Sequence, residues 1–236
     1  MSLSDHAVRL AGLHEHPAFA AARFDTGVAF AGRVAVLPSA FNPPTLAHVG
    51  LLELGQTVDG VVRVAAMLTT NNVDKSLFGA PLSHRVGMLL AIHAERPAIA
   101  VLGSNAARLM DQGLALEIAF PGIGFDFIVG FDTLVRLFDR KYYEDMDTAL
   151  TEFFSRHRVI ATNRAEATTA AVRDYLREPV VERYAERIVV RELDHERAFL
   201  SSTAAREVGD HPGQADALTP GVREYIEKHG LYAAHV

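Results

Sequence analysis

The strongest constraint on the fold of this chain is the stretch of residues 33–50, RVAVLPSAFNPPTLAHVG. An apolar run with strand character ends at Pro38, a Phe-Asn-Pro-Pro turn follows, and a helix is expected to begin near Thr45. A strand that turns sharply into a helix N-terminus directs unpaired backbone N–H groups and the positive end of the helix dipole at one point. This arrangement predicts a binding site for an anion such as phosphate.

The first turn of that helix carries a hydroxyl and an imidazole. Thr45 and His48 are three residues apart, so their side chains share a helix face and would converge on the same ligand. The alternative is a proline-rich turn with a histidine that faces the core. The strand-turn-helix context and the threonine beside the histidine favour phosphate chemistry.

Strands alternate with helices along the rest of the chain, which predicts a three-layer α/β/α architecture with a mostly parallel sheet. The first strand is expected at residues 34–37, and the later ones at 61–68, 99–102, 125–129, 158–161 and 188–191. Helices are expected at residues 46–57, 82–94, 105–119, 132–138, 145–156, 165–176, 201–208 and 221–228. Ligands bind beyond the carboxyl ends of strands in such sheets, where both the 38–48 segment and the turn from Gly130 to Asp132 fall.

Length and composition bound the organisation and the partners. The 236 residues suit an N-terminal helical extension over 1–32 and one domain over 33–236, which includes a small C-terminal helical part. A formal charge of −6 gives no general attraction to nucleic acid. No apolar run approaches the roughly 20 residues of a membrane span. The chain has no cysteine and its N-terminus lacks the pattern of a signal peptide, so we expect a cytoplasmic protein.

A second group of residues carries phosphate-binding chemistry nearer the C-terminus. Ser201, Ser202 and Thr203 can cap a helix start, and Arg206 lies within the following turn, where a guanidinium suits a phosphate clamp. Taken alone, this pattern is most often a simple helix cap. Lys75 and Arg85, taken alone, would be solvated surface charges, and Asp132 an ordinary N-cap.

Together and in this order, these pieces resemble the nucleotidyltransferase superfamily that contains the nicotinamide and nicotinate mononucleotide adenylyltransferases. The first family signature, Gly-Ser/Thr-Phe-Asn/Asp-Pro followed by His/Thr-x-Gly-His, stands here as SAFNPP at 39–44 and TLAH at 45–48. The second, Ile-Ser-Ser-Thr-x-Ile-Arg, stands as LSSTAAR at 200–206, and the C-terminal stretch 218–232 looks like the family's usual ending. FDTL at 131–134 with KYY at 141–143 is similar to a divergent branch of nicotinamide mononucleotide adenylyltransferase-like proteins.

The first turn departs from the family pattern. Ser39 and Ala40 stand where the family has glycine and a hydroxyl residue, and Ala47 replaces a glycine. The chain also lacks tryptophan, which the mononucleotide enzymes often stack on the pyridine ring. These differences leave ATP as the expected nucleotide and the acceptor open.

The resemblance implies a Rossmann-like nucleotidyltransferase fold and Mg²⁺-dependent adenylyl transfer from ATP to NMN or NaMN, with no metal ligands from the protein. It implies catalytic roles for His48, Thr45, Lys75 and Arg206. The implied ATP-binding residues are Ser39, Ala40, Phe41, His48, Gly130, Asp132, Ser201, Ser202, Thr203 and Arg206. The implied acceptor-binding residues are Asn42, Lys75, Arg85, Phe131, Phe138 and Tyr142.

Two other interpretations stay open. The first keeps the fold and changes the acceptor to phosphopantetheine, or the reaction to cytidylyl transfer to an alcohol phosphate. The second is a catalytically weakened homologue that binds ATP. A dinucleotide-dependent oxidoreductase is disfavoured because no G-x-G-x-x-G follows the first strand. The sequence leaves open whether the chain forms a homo-oligomer.

Overall fold

A computed structural model describes residues 2–71, 79–162, 169–193 and 217–232 of the chain. Within these residues seven strands form one sheet in the order β1-β4-β3-β2-β5-β6-β7. Every neighbouring pair is parallel except β1 with β4, which is antiparallel. The strands are β1 (Ala21–Arg23), β2 (Arg33–Ser39), β3 (Val61–Thr69), β4 (Ile99–Ser104), β5 (Gly124–Gly130), β6 (Arg158–Thr162) and β7 (Ile188–Arg191).

Helices flank this sheet and connect most of its parallel strands. They are α1 (Leu3–His14), α2 (Leu46–Gln56), α3 (Leu82–Glu95), α4 (Leu109–Ala119), α5 (Phe131–Leu137), α6 (Met146–Arg156), α7 (Thr169–Tyr175), α8 (Pro179–Glu182) and α9 (Pro220–His229). The predicted α/β fold with a mostly parallel sheet is confirmed. The helix expected at 201–208 and the first part of the one expected at 165–176 lie outside the described residues.

The N-terminal region contributes more than a helix. Helix α1 packs on α3, and β1 adds an antiparallel edge strand to β4, which the sequence did not predict. Asp25 stabilises the pairing of β1 with β4, because its carboxylate accepts hydrogen bonds from the guanidinium of Arg23 and from the backbone N–H of Val101.

Strand β2 shows why both faces of the sheet are covered. Ala35 and Leu37 pack in the apolar cluster with α1, α2, α3 and α9, whereas Val34 and Val36 pack in the cluster with α4 to α8. Successive side chains of a strand point to opposite faces, so an uninterrupted apolar run needs cover on both sides. The run at 34–37 therefore marks the central strand.

A crevice opens at the carboxyl ends of β2 and β5. The chain builds the sheet outward from β2 through β3 and β4, and then returns to the other side of β2 with β5, β6 and β7. Pairing between β2 and β5 ends at Val36 and Phe127, although β2 continues beside β3 to Ser39. Pro38 has no backbone N–H to donate across this gap. The separation of the two strands at the point where strand order reverses is the expected ligand position in such sheets.

The opposite end of the same strands is closed by a buried ion cluster. The carboxylate of Asp126 is fully buried. It pairs with the guanidinium groups of Arg33 and Arg158, each at an N–O distance of 2.5 Å. The crevice lies at the other, carboxyl end of these strands. No helix within the described ranges is long and apolar enough to cross a bilayer.

Candidate active site

The crevice between β2 and β5 holds a cavity of about 770 Å³. One wall is the turn after β2 together with the start of α2, and the floor is formed by the strand ends Leu37–Ser39, Thr69, Ile128–Gly130 and Thr162. The other wall comes from residues 107–112, from one side of α5, and from the segment 141–145. A cavity of this size is typical of small-molecule sites, which run from about 300 to 1,000 Å³.

The turn that follows β2 is buried and tightly constrained. Phe41 has a φ of +44°, in the left-handed region that non-glycine residues seldom adopt, and its side chain is only 1% exposed. The Asn42–Pro43 peptide bond is cis. A positive φ at a non-glycine residue such as Phe41 persists where the surrounding structure fixes it, and such positions cluster at ligand sites.

Arg85 and Asn42 supply much of that constraint. The guanidinium of Arg85 is buried. It donates to the carbonyl oxygen of Ala80 at a distance of 2.8 Å and to that of Ala40 at 3.1 Å. Oδ1 of Asn42 accepts from the backbone N–H of Ala80 and from the hydroxyl of Tyr232. These bonds tie the turn to the start of α3 and to the C-terminal segment.

His48 faces the cavity with a defined tautomer. The backbone N–H of Thr45 donates to Nδ1 of His48 at a distance of 3.1 Å, and the hydroxyl of Thr45 lies 2.9 Å from the same nitrogen. Because an N–H group can only donate, Nδ1 must accept, and the neutral imidazole carries its proton on Nε2. Nε2 lies 3.3 Å from Oγ of Ser39, so the proton points along the cavity wall toward the end of β2.

The rings of Phe41 and His48 restrain each other. Their centroids are 5.0 Å apart and the rings are tilted by 51°. The imidazole is thus held on one side by Thr45 and contacted on another side by the ring of Phe41. This arrangement offers a pre-oriented hydrogen-bond donor, which suits stabilisation of charge that develops on an oxygen.

The far wall of the cavity is cationic and aromatic. Arg108, Arg136 and Lys141 line it together with Tyr142 and Tyr143. Arg108 donates to both oxygens of Asp111 and to the carbonyl oxygen of Tyr142, and the hydrogen bond to Asp111 raises its pKa. This guanidinium joins the start of α4 to the segment that follows α5.

Lys141 and Tyr143 of the same wall are also held by contacts within the protein. The ammonium of Lys141 lies 4.8 Å from the centre of the Tyr142 ring, and its hydrogen bond to Asp139 raises its pKa. Burial raises the pKa of Tyr143 to about 12, and its hydroxyl donates to the carbonyl oxygen of Leu137. Three cations beside two tyrosine rings can hold a phosphate next to an aromatic ring.

The cavity brings some of the residues expected from the sequence together. The expected residues in its lining are Ser39, Ala40, His48, Gly130 and Tyr142. Thr45 is fully buried directly behind His48. Phe41, Asn42 and Arg85 lie behind the lining, where they hold the turn.

Other expected residues lie elsewhere. Asp132 is exposed in the first turn of α5. Phe131 packs edge-on against Tyr175, and Phe138 stacks on Phe154 in the core. Lys75, Ser201, Ser202, Thr203 and Arg206 lie outside the described residues. Arg108, Arg136, Lys141 and Tyr143 also line the cavity but were not expected as site residues, although Lys141 and Tyr143 belong to the KYY stretch noted in the sequence.

Three carboxylates line the cavity, and two of them, Asp111 and Asp145, have partners within the protein. Asp111 is paired with Arg108, and Asp145 accepts from the backbone N–H and the hydroxyl of Thr148 at the start of α6. Among the described residues there is no group of three or more His, Cys, Asp or Glu side chains that could hold a metal ion.

Comparisons with known proteins agree with this architecture. No family model matches the chain. A curated Schizosaccharomyces pombe protein, provisionally named as a nicotinamide mononucleotide adenylyltransferase, is 27% identical over 209 residues, which cover 81% of this chain and 83% of that protein.

Solved structures share the fold. Plasmodium falciparum nicotinic acid mononucleotide adenylyltransferase complexed with NaAD matches with a TM-score of 0.65 and 17% identity, over 86% of this chain and 98% of that one. The same enzyme complexed with APC matches with a TM-score of 0.62 and 16% identity over the same shares. These matches confirm the Rossmann-like fold that the sequence predicts.

Proposed function

We propose that this chain, a nucleotidyltransferase that resembles the nicotinamide and nicotinate mononucleotide adenylyltransferases, transfers the adenylyl group of ATP to the phosphate of NMN or NaMN. The products would be pyrophosphate and NAD or its deamido form. The observation that carries the proposal is His48, which lines the crevice cavity and whose proton is kept on Nε2 by the hydrogen bond from the backbone N–H of Thr45 to Nδ1.

In the proposed reaction, an oxygen of the acceptor phosphate attacks the α-phosphorus of ATP. The bond between that phosphorus and the oxygen that bridges to the β-phosphate breaks, and pyrophosphate leaves with the electron pair. The acceptor oxygen is already ionised at neutral pH, so the reaction needs neither a strong base nor a covalent intermediate. Catalysis then depends on alignment and on stabilisation of charge in the transition state.

His48 would supply that stabilisation. Its Nε2–H donates to Oγ of Ser39 at 3.3 Å, which is a long and readily replaced hydrogen bond. An oxygen on the α-phosphate, or the bridging oxygen, would take the place of the serine hydroxyl. Thr45 keeps Nδ1 as the acceptor and so keeps the proton on the nitrogen that faces the substrate.

The two walls of the cavity suggest how the substrates divide it. ATP would lie along the turn wall, against Ser39 and Ala40, with its α-phosphate at His48. The acceptor would occupy the opposite wall, where Arg108, Arg136 and Lys141 provide positive charge and Tyr142 provides an aromatic surface. Lys75 and Arg206, which lie outside the described residues, are proposed to neutralise the departing pyrophosphate.

Magnesium is proposed as the ion that accompanies ATP. The paired state of Asp111 and Asp145 fits an ion that is carried by the triphosphate rather than by a protein cage. When bound, the ion neutralises charge on the phosphate oxygens. Alignment of the reacting atoms still falls to the turn and to the far wall.

The test is a product assay with a panel of acceptors. The full-length protein is incubated with Mg²⁺ and either ATP or CTP, together with NMN, NaMN, phosphopantetheine or an alcohol phosphate, and dinucleotide and pyrophosphate are quantified. Dinucleotide from ATP with NMN or NaMN supports the proposal. Turnover only with another acceptor or with CTP overturns the acceptor assignment. Calorimetric binding of ATP without pyrophosphate release on any acceptor identifies a non-catalytic ATP-binding protein instead.

A further inference from the structure

We propose that Tyr232, next to the C-terminal end of α9, is a positioning residue for the site: its hydroxyl fixes the side chain of Asn42 and so holds the turn that restrains His48. The inference rests on the proposed function for its kinetic consequence. Its structural basis is a hydrogen bond of 2.7 Å from the Tyr232 hydroxyl to Oδ1 of Asn42, across 190 positions of sequence.

The packing of helix α9 against α3 can fix the position of Tyr232. Its Val222 is fully buried in the apolar cluster that also contains Val86 and Leu89 of α3. At its start, the backbone N–H of Gly221 donates to the carboxylate of Glu95, also on α3. The helix thus rests on α3 along its length, and α3 is the element whose Arg85 holds the turn from the other side.

The chain reverses sharply after α9 to reach the turn. Gly230 takes a left-handed conformation with a φ of +58°, and the backbone N–H of Leu231 donates back to the carbonyl oxygen of Ile226. Tyr232 follows with a φ of +60°. This backbone conformation is unfavourable for a tyrosine, and it directs the phenol toward Asn42.

Strained backbone occurs on both sides of the same hydrogen bond. Within the described residues, the non-glycine residues with positive φ are Phe41 and Tyr232. Phe41 immediately precedes Asn42 in the chain, and Tyr232 is its hydrogen-bond donor. Strain of this kind persists when neighbouring contacts outweigh its cost, and its coincidence at one contact indicates a position under functional constraint.

If the hydrogen bond from the Tyr232 hydroxyl were removed, the Asn42 side chain would have little freedom to find another donor. It is 5% exposed, its Oδ1 also accepts from the backbone N–H of Ala80 at 3.2 Å, and its amide nitrogen lies against Gly79. Without the phenol hydroxyl, Oδ1 loses the donor at 2.7 Å and the turn can shift. Any shift at Phe41 reaches the imidazole of His48 through the ring contact of 5.0 Å.

The variant that tests the inference is Tyr232→Phe, which removes one hydroxyl and keeps the ring. Tyr225→Phe is the matched control, because it also removes a phenol hydroxyl from the same C-terminal region, here one that lies 3.3 Å from Nδ1 of His84 and not near the turn. We expect Tyr232→Phe to lower kcat for dinucleotide formation about three- to tenfold, the scale for the loss of one hydrogen bond. The KM for ATP should change less than about twofold, and Tyr225→Phe should leave kcat unchanged.

Coupling between the two residues is measured in the background of Asn42→Ala. Tyr232→Phe should lower kcat no further in that background, because its hydrogen-bond partner is already absent. Full additivity of the two effects would contradict the proposal. So would equal kcat values for the wild type and Tyr232→Phe, or loss of the cooperative unfolding transition in Tyr232→Phe, which would make the hydroxyl a requirement of the fold.

A second readout does not depend on activity. In protein labelled with ¹⁵N-histidine, the ring resonances of His48, assigned from the spectrum of His48→Ala, should move in Tyr232→Phe and stay in place in Tyr225→Phe. If the wild type made no dinucleotide, the proposed function would fail while this spectral test still decided the inference. Unmoved His48 resonances in Tyr232→Phe would overturn it.

Discussion

The backbone N–H of Thr45 donates a hydrogen bond of 3.1 Å to Nδ1 of His48, within the first turn of α2. A main-chain donor cannot change its role, so this bond assigns the tautomer of the imidazole more firmly than a side-chain contact would. The consequence is a neutral ring whose Nε2–H faces the cavity. The same residue contributes its hydroxyl at 2.9 Å, which makes Thr45 the main support of the proposed donor.

Replacing Thr45 by valine should reduce turnover modestly. The change removes the hydroxyl but keeps the backbone N–H that sets the tautomer, so we expect kcat to fall about three- to tenfold. Steady-state kinetics at saturating substrates measure the effect. Thr45→Ser, which retains the hydroxyl, is the control and should keep most of the activity. An equal loss in both variants would show that the methyl group, not the hydroxyl, matters here.

Replacing Arg108 by alanine should weaken binding of the acceptor. This guanidinium lines the far wall and bridges Asp111 and the carbonyl oxygen of Tyr142, so its loss removes positive charge and loosens the wall. We expect the KM for the acceptor to rise about tenfold, the scale for a charged hydrogen bond, while the KM for ATP changes little.

The control for Arg108 is Arg177→Ala, because Arg177 pairs with Asp174 at an exposed position and does not line the cavity. It should leave both KM values unchanged. An acceptor KM in Arg108→Ala equal to that of the wild type would place the acceptor elsewhere in the molecule.

Gly79 and Gly122 form a matched pair for testing the turn. Their φ values are +81° and +80°, so alanine strains the backbone equally at both, by roughly 1–2 kcal/mol. Only at Gly79 would the new Cβ collide with the side chain of Asn42, whereas nothing lies within 4 Å at Gly122. Gly79→Ala should therefore lose additional stability, about 1–3 kcal/mol for the overpacked contact, and also turnover.

Denaturant unfolding and kcat measured on the same preparations check this pair. Gly122→Ala should lose stability and keep the kcat of the folded fraction. If the two variants behaved alike in both measurements, the contact between Gly79 and Asn42 would have no role in holding the turn.

Acidification should destabilise the fold. Burial lowers the pKa of three histidines below the ordinary value of 6.5, namely His6, His84 and His157. The unfolded chain then binds protons more readily than the native state, so the free energy of unfolding falls as the pH drops through about 6.5 and levels off below the folded pKa values. Thermal denaturation between about pH 7.5 and about pH 5.5 measures the trend.

His6→Phe removes one of these buried groups and should weaken the pH dependence. The control is His16→Phe, since His16 is exposed. A melting temperature that stayed constant or rose on acidification in the wild type would contradict the lowered pKa values of these histidines.

The periodicity of the sequence was sufficient to predict the central architecture. The run at 34–37 is apolar at every position because β2 is covered on both faces, and this pattern predicts a parallel α/β sheet. β1 was not predicted, because three residues are too few to show a period and its pairing is set by distant β4. Helix α4 begins at Leu109 rather than near residue 105, since Asn105 uses its side chain to hold Ala20 and Ala18 of the N-terminal segment.

The site was predictable where its residues are close in sequence. The turn, Thr45 and His48 form one local motif, and the structure joins them through one set of hydrogen bonds. The cationic wall was not predicted, because Arg108 is far in sequence from the stretch that carries Arg136 and Lys141, and no local pattern shows that the two meet. Spacing also does not reveal the direction of a side chain, and the guanidinium of Arg85 turns to backbone carbonyls.

The most direct test of the central claim is the kcat of His48→Ala for dinucleotide formation from ATP and NMN or NaMN, at saturating substrates with Mg²⁺. The claim predicts a fall of about 100-fold, the scale for losing a transition-state hydrogen-bond donor, in a protein that retains the cooperative unfolding of the wild type. A folded His48→Ala protein that formed dinucleotide at close to the wild-type rate would contradict it.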